Sequence, residues 1–278
     1  MLPKVTIILL ALGLAPGAAA PSGTLLRSPA PPARSTCELP DARAEAADLH
    51  APFEALLGIA VRDGVVDYSC FKEREAQLDA YLATLAATEP ASLSRDERLA
   101  LWINAYNAYT IKLILTRYPD IESIKDIPRR WKRDDWLVGG ERYSLDAMEH
   151  EILRKEFDEP RIHFAIVCAS ISCPDLQPEA YQGAKIEEQL TRAARGFLTN
   201  PEKGMRIERK DPFLGGEYYE VRLSSIFKWF GEDFEKQAGS RIDFVRPYVE
   251  PDTRALLDAN RDDLKVRFLD YDWDLNGT

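Results

Sequence analysis

Basic side chains and residues suited to catalysis are what this sequence has least of. Lys and Arg number 36 against 46 Asp and Glu, a net charge of −10 with histidine neutral. That sign argues against a nucleic-acid or anionic-membrane binder, since both need a basic surface. Three histidines (His50, His150, His163) and four cysteines (Cys37, Cys70, Cys168, Cys173) are all the chain offers for imidazole or thiol chemistry. A His or Cys zinc site would have to come from that short list, and no metal and no cofactor is expected. Asp270, Asp272 and Asp274 alternate ahead of Asn276, but the Gly and Glu that complete a calcium loop are missing. They read as a solvated strand face, with Tyr271, Trp273 and Leu275 as core behind it. No P-loop, dinucleotide fingerprint or G-x-S-x-G elbow occurs, and Cys168 and Cys173 do not have C-x-x-C spacing.

Long apolar runs are also missing after residue 20, so no integral membrane segment is expected in the mature chain. The run before it, Val5 to Leu14, follows Lys4 and precedes the small residues Gly17 to Ala20, the pattern of a secretory signal peptide over 1–19. Residues 20–44 are Pro-rich without apolar periodicity and read as a flexible tether. A single domain is expected over 45–278, in a protein exported to the periplasm or beyond. Its apolar content of 45% with 29% charged residues is globular, and this length can bury a core without staples.

Helical patterns dominate the first half. Asp41 onward reads as helix, Asp63-Gly64 as a tight turn, and Phe71 to Ala87 as an amphipathic helix. Ser94 and Glu97 form a capping box that opens a helix to about Arg117, apolar nearly all round and therefore central. Asn104 and Asn107 lie on one face of it, Trp102 and Tyr106 on another. Buried amides need partners, at about 1–3 kcal/mol per unsatisfied group, so these two either fasten neighbouring backbone or orient a catalytic group. Ser144 caps a further helix in which Glu149 sits within the apolar stripe, with Arg154 and Arg161 as its expected partners. Ile162 to Cys168 reads as a buried strand, Met205–Glu208 and Tyr218–Leu223 as a hairpin, and Lys265–Leu275 as a final strand. The class is α+β, a helical N-terminal half around a central buried helix, then mostly antiparallel sheet with helices.

Five pieces now stand in order: Leu101-Trp102-Ile103-Asn104-Ala105-Tyr106-Asn107-Ala108; Glu149-His150 with Ile152-Leu153-Arg154; His163-Phe164-Ala165 with Cys168-Ala169-Ser170 and Cys173-Pro174; Ser224-Ile226-Phe227-Trp229 with Asp233-Phe234; and Tyr271-Asp272-Trp273 with Leu275-Asn276. Together they resemble family 547 of the domains of unknown function (DUF547), in its bacterial exported form, from about His50 to Asn276. The resemblance transfers no settled activity. Some relatives join the domain to a glutaredoxin-like module, absent from this sequence, which implies thiol chemistry.

The leading functional reading is a thiol-dependent hydrolase or acyltransferase. Cys168, at the end of its strand, is the nucleophile and His150 the base, with Glu149, Asn104 or Asn107 orienting it. His163 is set aside, because five residues of regular strand put it about 17 Å away on the opposite face. An oxidising compartment equally favours disulfides, Cys168 with Cys173 and Cys37 with Cys70 being one of three pairings. Two other readings stay open. One is a thiol–disulfide redox protein using Cys168 and Cys173. The other is a non-catalytic binding or envelope-scaffold domain in which Trp102, His163 and Arg154 are structural. The partner is an unidentified substrate or envelope component.

Overall fold

A computed structural model describes residues 37–39, 48–211 and 216–278, all within one compact unit, Ser35–Thr278. The expected signal peptide, and the expected tether apart from 37–39, lie outside the described residues. The fold is a single α+β domain. Helix α1 (Ala51–Ala60) leads into a two-residue hairpin, β1 (Val61–Arg62) with β2 (Val65–Val66). Its turn is Asp63-Gly64, both at positive φ (50° and 79°), the conformation a tight hairpin turn of this twist requires. The helix expected over Phe71–Ala87 begins earlier and breaks at Arg74, giving α2 (Tyr68–Glu73) and α3 (Glu75–Ala87). Asp67 caps α2 through the Cys70 amide at 2.9 Å, and the Arg74 guanidinium is spent on the Cys37 carbonyl. Cys37 is disulfide-bonded to Cys70.

Helix α4 (Arg95–Leu115) is the centre. Its Ser94–Glu97 capping box forms, and every residue from Leu99 to Ile111 is buried. Both amides bind backbone. Asn104 donates to the Tyr181 carbonyl at 2.7 Å and accepts from the Tyr181 N–H at 2.9 Å. Asn107 donates to the Ala165 carbonyl at 2.9 Å and accepts from the Val167 N–H at 2.8 Å. Trp102 is buried with its ring edge-on to Tyr143. The expectation that Asn104 or Asn107 orients a catalytic side chain is corrected: both hydrogen-bonding ends of each amide are occupied by main chain.

The buried strand expected over Ile162–Cys168 is also corrected. Glu159 caps a 3-10 helix at Pro160–Phe164, a start signal that outranks the β-branched run. Among the described residues no strand lies alongside, and the backbone is satisfied by turn bonds, Ala165 and Ile166 N–H to the Ile162 carbonyl, and by Asn107. Past Ala169, at φ 61°, the chain doubles back. A second small hairpin, β3 (Trp136–Val138) with β4 (Glu141–Tyr143), follows α4. After the helix α7 (Ile186–Leu198), the expected hairpin in the second half appears as β5 (Met205–Lys210) and β6 (Tyr218–Leu223), antiparallel from Met205↔Leu223 to Lys210↔Tyr218. β7 (Leu264–Phe268) adds to β6 in parallel and stops short of the expected Leu275. Beyond it the chain runs on through isolated bridges, Ser170↔Leu275 among them.

Two apolar clusters result. One surrounds α4 and includes Ile162, Ala165 and Ile166. The other packs Phe164, Phe227, Phe234 and Phe244 beneath the three-stranded sheet. The 3-10 segment thus sends alternate residues into both clusters, and Tyr271 touches each of them.

Replacing Asn107 by Leu leaves a buried carbonyl and a buried N–H without partners. Each costs about 1–3 kcal/mol, so urea unfolding of Asn107→Leu should show a loss of roughly 3 kcal/mol, against under about 1 for the exposed control Gln77→Ala.

Candidate functional site

The seam between the two clusters opens into a cavity of about 180 Å³. The α-helical turn α5 (Leu145–Ala147), capped by Ser144 at 3.1 Å, supplies one wall. It runs into a π-helical stretch over Met148–Leu153 and then α6 (Arg154–Glu156). The wider turn is closed by the Arg154 N–H on the Glu149 carbonyl, five residues back. Met148 and Leu153 remain in the core while Glu149 and His150 both line the cavity. Such insertions recur at functional sites.

Aromatic side chains make most of the remaining wall: Tyr106 from α4, Trp131, and, from the C-terminal half, Trp229, Phe230, Tyr271 and Trp273. Trp229 ends α8 (Ile226–Trp229), stacks at 5.8 Å on Trp273, and is 46% exposed. His163 and the Cys168–Cys173 pair complete the enclosure.

Asp233, on α9 (Gly231–Ala238), joins three of these elements. Its carboxylate accepts two bonds from Arg154, Nε at 2.7 Å and Nη2 at 2.9 Å, and one from His163 Nε2 at 2.7 Å. Burial alone would raise this carboxyl, but those bonds outweigh it and hold Asp233 well below the usual carboxylate range. For His163 burial wins over the pull of Asp233, and its basicity falls; its ring stacks at 4.2 Å on Phe230. The expected roles of Arg154 and Arg161 as partners of Glu149 are therefore corrected. Arg154 is committed to Asp233, and Arg161 to Glu159 and Glu187.

Glu149 is left with one hydrogen bond among the described residues, from the Tyr106 hydroxyl at 3.3 Å. Burial raises its carboxyl to about 7, with Asp146 and Asp233 adding to the rise while Tyr106 and Arg154 oppose it. At neutral pH it is therefore poised between acid and carboxylate. His150 accepts from Arg154 Nη1 at 3.0 Å and lies 3.8 Å from Asp146; burial depresses its basicity. His50 lies elsewhere, bonded to the Tyr81 hydroxyl at 2.8 Å.

Cys168 and Cys173 form a disulfide with Cα atoms 6.2 Å apart. Cys173 is 3% exposed and Cys168 more so. The Tyr271 hydroxyl lies 3.2 Å from the Cys168 sulfur and 3.1 Å from that of Cys173, and accepts from Ser170 at 3.0 Å. Backbone bonds from Ile171 to Asp274 and from Ser172 to Asp272 sew the loop to the C-terminal strand region.

Of the residues singled out by sequence, Cys168, His150, Glu149 and His163 line the cavity together, whereas Asn104 and Asn107 do not. The regular-strand argument against His163 fails because residues 160–164 are helical. Sequence reasoning gave no role to Tyr106 or Asp233 and read Tyr271 and Trp273 as core. The available signal was that all four stand within the family-like motifs. Among the described residues no group of three or more His, Cys, Asp or Glu could hold a metal ion, and no helix is long and apolar enough to cross a membrane.

Raising a carboxyl on folding means that the native state binds its proton more tightly than the unfolded chain. Stability is then lost as pH rises from about 4.5 to 7, by roughly 3 kcal/mol at about 1.4 kcal/mol per pH unit. Glu149→Gln removes this dependence. Urea unfolding at pH 5 and pH 8 should show the variant gaining on the native protein at the higher pH, with other groups cancelling in the comparison; an unchanged difference would contradict the assignment.

No curated protein and no solved structure matches this chain. Residues 90–198 hold α4, the Glu149-His150 turn and the Cys168–Cys173 loop, and leave out Trp229, Asp233 and Tyr271. Over that stretch, as its motifs had indicated, the chain matches the family described as "Protein of unknown function, DUF547".

Proposed function

We propose that the domain is an enzyme of hydrolysis or group transfer whose centre is this cavity, with Glu149 as the group that gives or takes a proton. The observation that carries the reading is a carboxyl with one hydrogen-bond partner, poised near pH 7, in the wall of an aromatic cavity. A cleft group whose protonation is tuned to the working pH is suited to general acid–base catalysis. His163, held through Nε2 by Asp233, presents a second neutral imidazole to the same space. Export to the periplasm or beyond belongs to the proposal. The N-terminal apolar run supports it, as do two disulfides, which persist in oxidising compartments.

Cys168 enters the chemistry only once its bridge is opened, so the thiol-nucleophile version is a reading of the reduced protein. In the oxidised protein, what favours thiol–disulfide exchange is that the bridge faces the cavity with the Tyr271 hydroxyl on both sulfurs. A substrate thiolate would attack Cys168, the S–S bond would break, and Cys173 would leave and take a proton. A second substrate thiol then releases the mixed disulfide, so two electrons and two protons pass from the dithiol to the protein.

The test is a panel of small esters and amides assayed from pH 5 to 9 with protein whose disulfides are intact. If Glu149 acts as base, kcat/KM should rise through about pH 7 to a plateau, and Glu149→Gln should lower it by about 10²–10⁴-fold. The double variant Cys168→Ser, Cys173→Ser should stay within a few-fold of the native rate. Loss of turnover in the cysteine variant with retention in Glu149→Gln would transfer the role to the thiol. Binding without turnover would leave a binding domain.

A further inference from the structure

The signs of the groups around the cavity are lopsided. Asp146 and Glu149 are among its lining residues, and no Lys or Arg is. Outside that lining, Arg154 is paired with Asp233, Lys125 lies over the Trp273 ring at 5.1 Å, and Arg130 over Trp131 at 5.7 Å. Both imidazoles in the wall are held towards their neutral form by burial. The charge of Asp233 is balanced by Arg154, and His163 adds a hydrogen bond to it. The charged side chains that line the cavity itself are therefore acidic, and they sit among the rings of Tyr106, Trp131, Trp229, Tyr271 and Trp273.

We propose that this cavity binds a single alkylammonium group, its cationic end at Glu149 and its methylenes against the aromatic wall, as the end of a lysine side chain or as a free small amine. The inference rests on the reading of Glu149 as the working carboxyl and adds the substrate class. Aromatic faces attract cations, most strongly where water is excluded, and aromatic enclosures are a recurrent device for ammonium recognition. Lys125 over Trp273 shows one ring of this very wall drawing an ammonium. Size agrees: an apolar cavity of about 150 Å³ holds a benzene-sized guest, so 180 Å³ admits four carbons and a nitrogen. A bound cation also supplies Glu149 with the partner it lacks, and so draws the carboxyl into its ionised form. Trp229, in the cavity wall and 46% exposed, is the apolar surface from which a longer chain bearing the amine would enter.

Binding of n-butylammonium, n-butanol and butyrate is measured by calorimetry and by tryptophan emission, at pH 6 and pH 8. The ammonium should bind at least tenfold more tightly than the alcohol, and butyrate least. Its affinity should rise about tenfold between the two pH values, the change in ionised fraction for a group at about 7. Of the other groups facing the cavity, Asp233 is held well below this range and Tyr106 and Tyr271 well above it, while burial lowers both His150 and His163. Glu149→Gln should abolish both the tenfold preference and its pH dependence. Trp229→Ala, at a half-exposed wall position, should lower ammonium affinity about threefold with little change for the alcohol, in a variant shown to be folded by its urea transition. Comparing n-butylammonium with a lysine-containing pentapeptide separates the sources; tighter peptide binding assigns a polypeptide side chain, and equal or weaker binding a free amine. Alcohol or butyrate binding as tightly as the ammonium, or an unaltered preference in Glu149→Gln, overturns the proposal. Ammonium binding with turnover untouched by Glu149→Gln would instead sink the proton-transfer reading alone.

Discussion

Everything around the cavity depends on two asparagine side chains in a helix that has no exposed face for them. An amide buried without partners is costly, so each of these is placed where a strand of main chain can use it. Asn107 takes the carbonyl of Ala165 and the N–H of Val167, much as a neighbouring strand would. That clamp lets a buried segment with no strand beside it stay irregular, and an irregular segment can turn His163 and Cys168 towards the same space. The amides are thus structural, yet they determine where the chemistry is.

A second constraint is electrostatic. Asp233 gathers Arg154 and His163 into one partly buried unit, which consumes the arginine that Glu149 would otherwise hold. Buried carboxylates are rare without a cation or several donors. Glu149 has instead one phenol and an aromatic cavity, and its response is to move towards its neutral form. The tuning of one acid is the consequence of satisfying another.

The loop carrying the second disulfide shows how covalent and non-covalent ties share a task. The Cys168–Cys173 bridge and the backbone bonds to Asp272 and Asp274 fix the same stretch, so the wall beside Tyr271 is held from two directions. Reduction would free two thiols into a space whose shape the C-terminal segment still supports.

Local signals were legible in the sequence because they are local. The capping box at Ser94, the Asp63-Gly64 turn, the all-round apolar helix, the β5–β6 hairpin and the α+β class follow from periodicity and turn chemistry over a few residues. The burial of Asn104 and Asn107 was equally readable, and so was the grouping of Glu149, His150 and Cys168 as polar residues on otherwise apolar elements. The fate of Ile162–Cys168 was not, since a β-branched run becomes a strand only if another strand is there to pair with it, and Pro160 had started a helix instead. Nor could a 3.6-residue pattern reveal a π-helical turn, where one extra residue per turn re-aims the side chains. Partner choice was the last thing hidden. Arg154 lies five residues from Glu149 in sequence and binds a carboxylate 79 residues away, and only the tertiary packing that brings α9 to α6 and the 3-10 segment decides that.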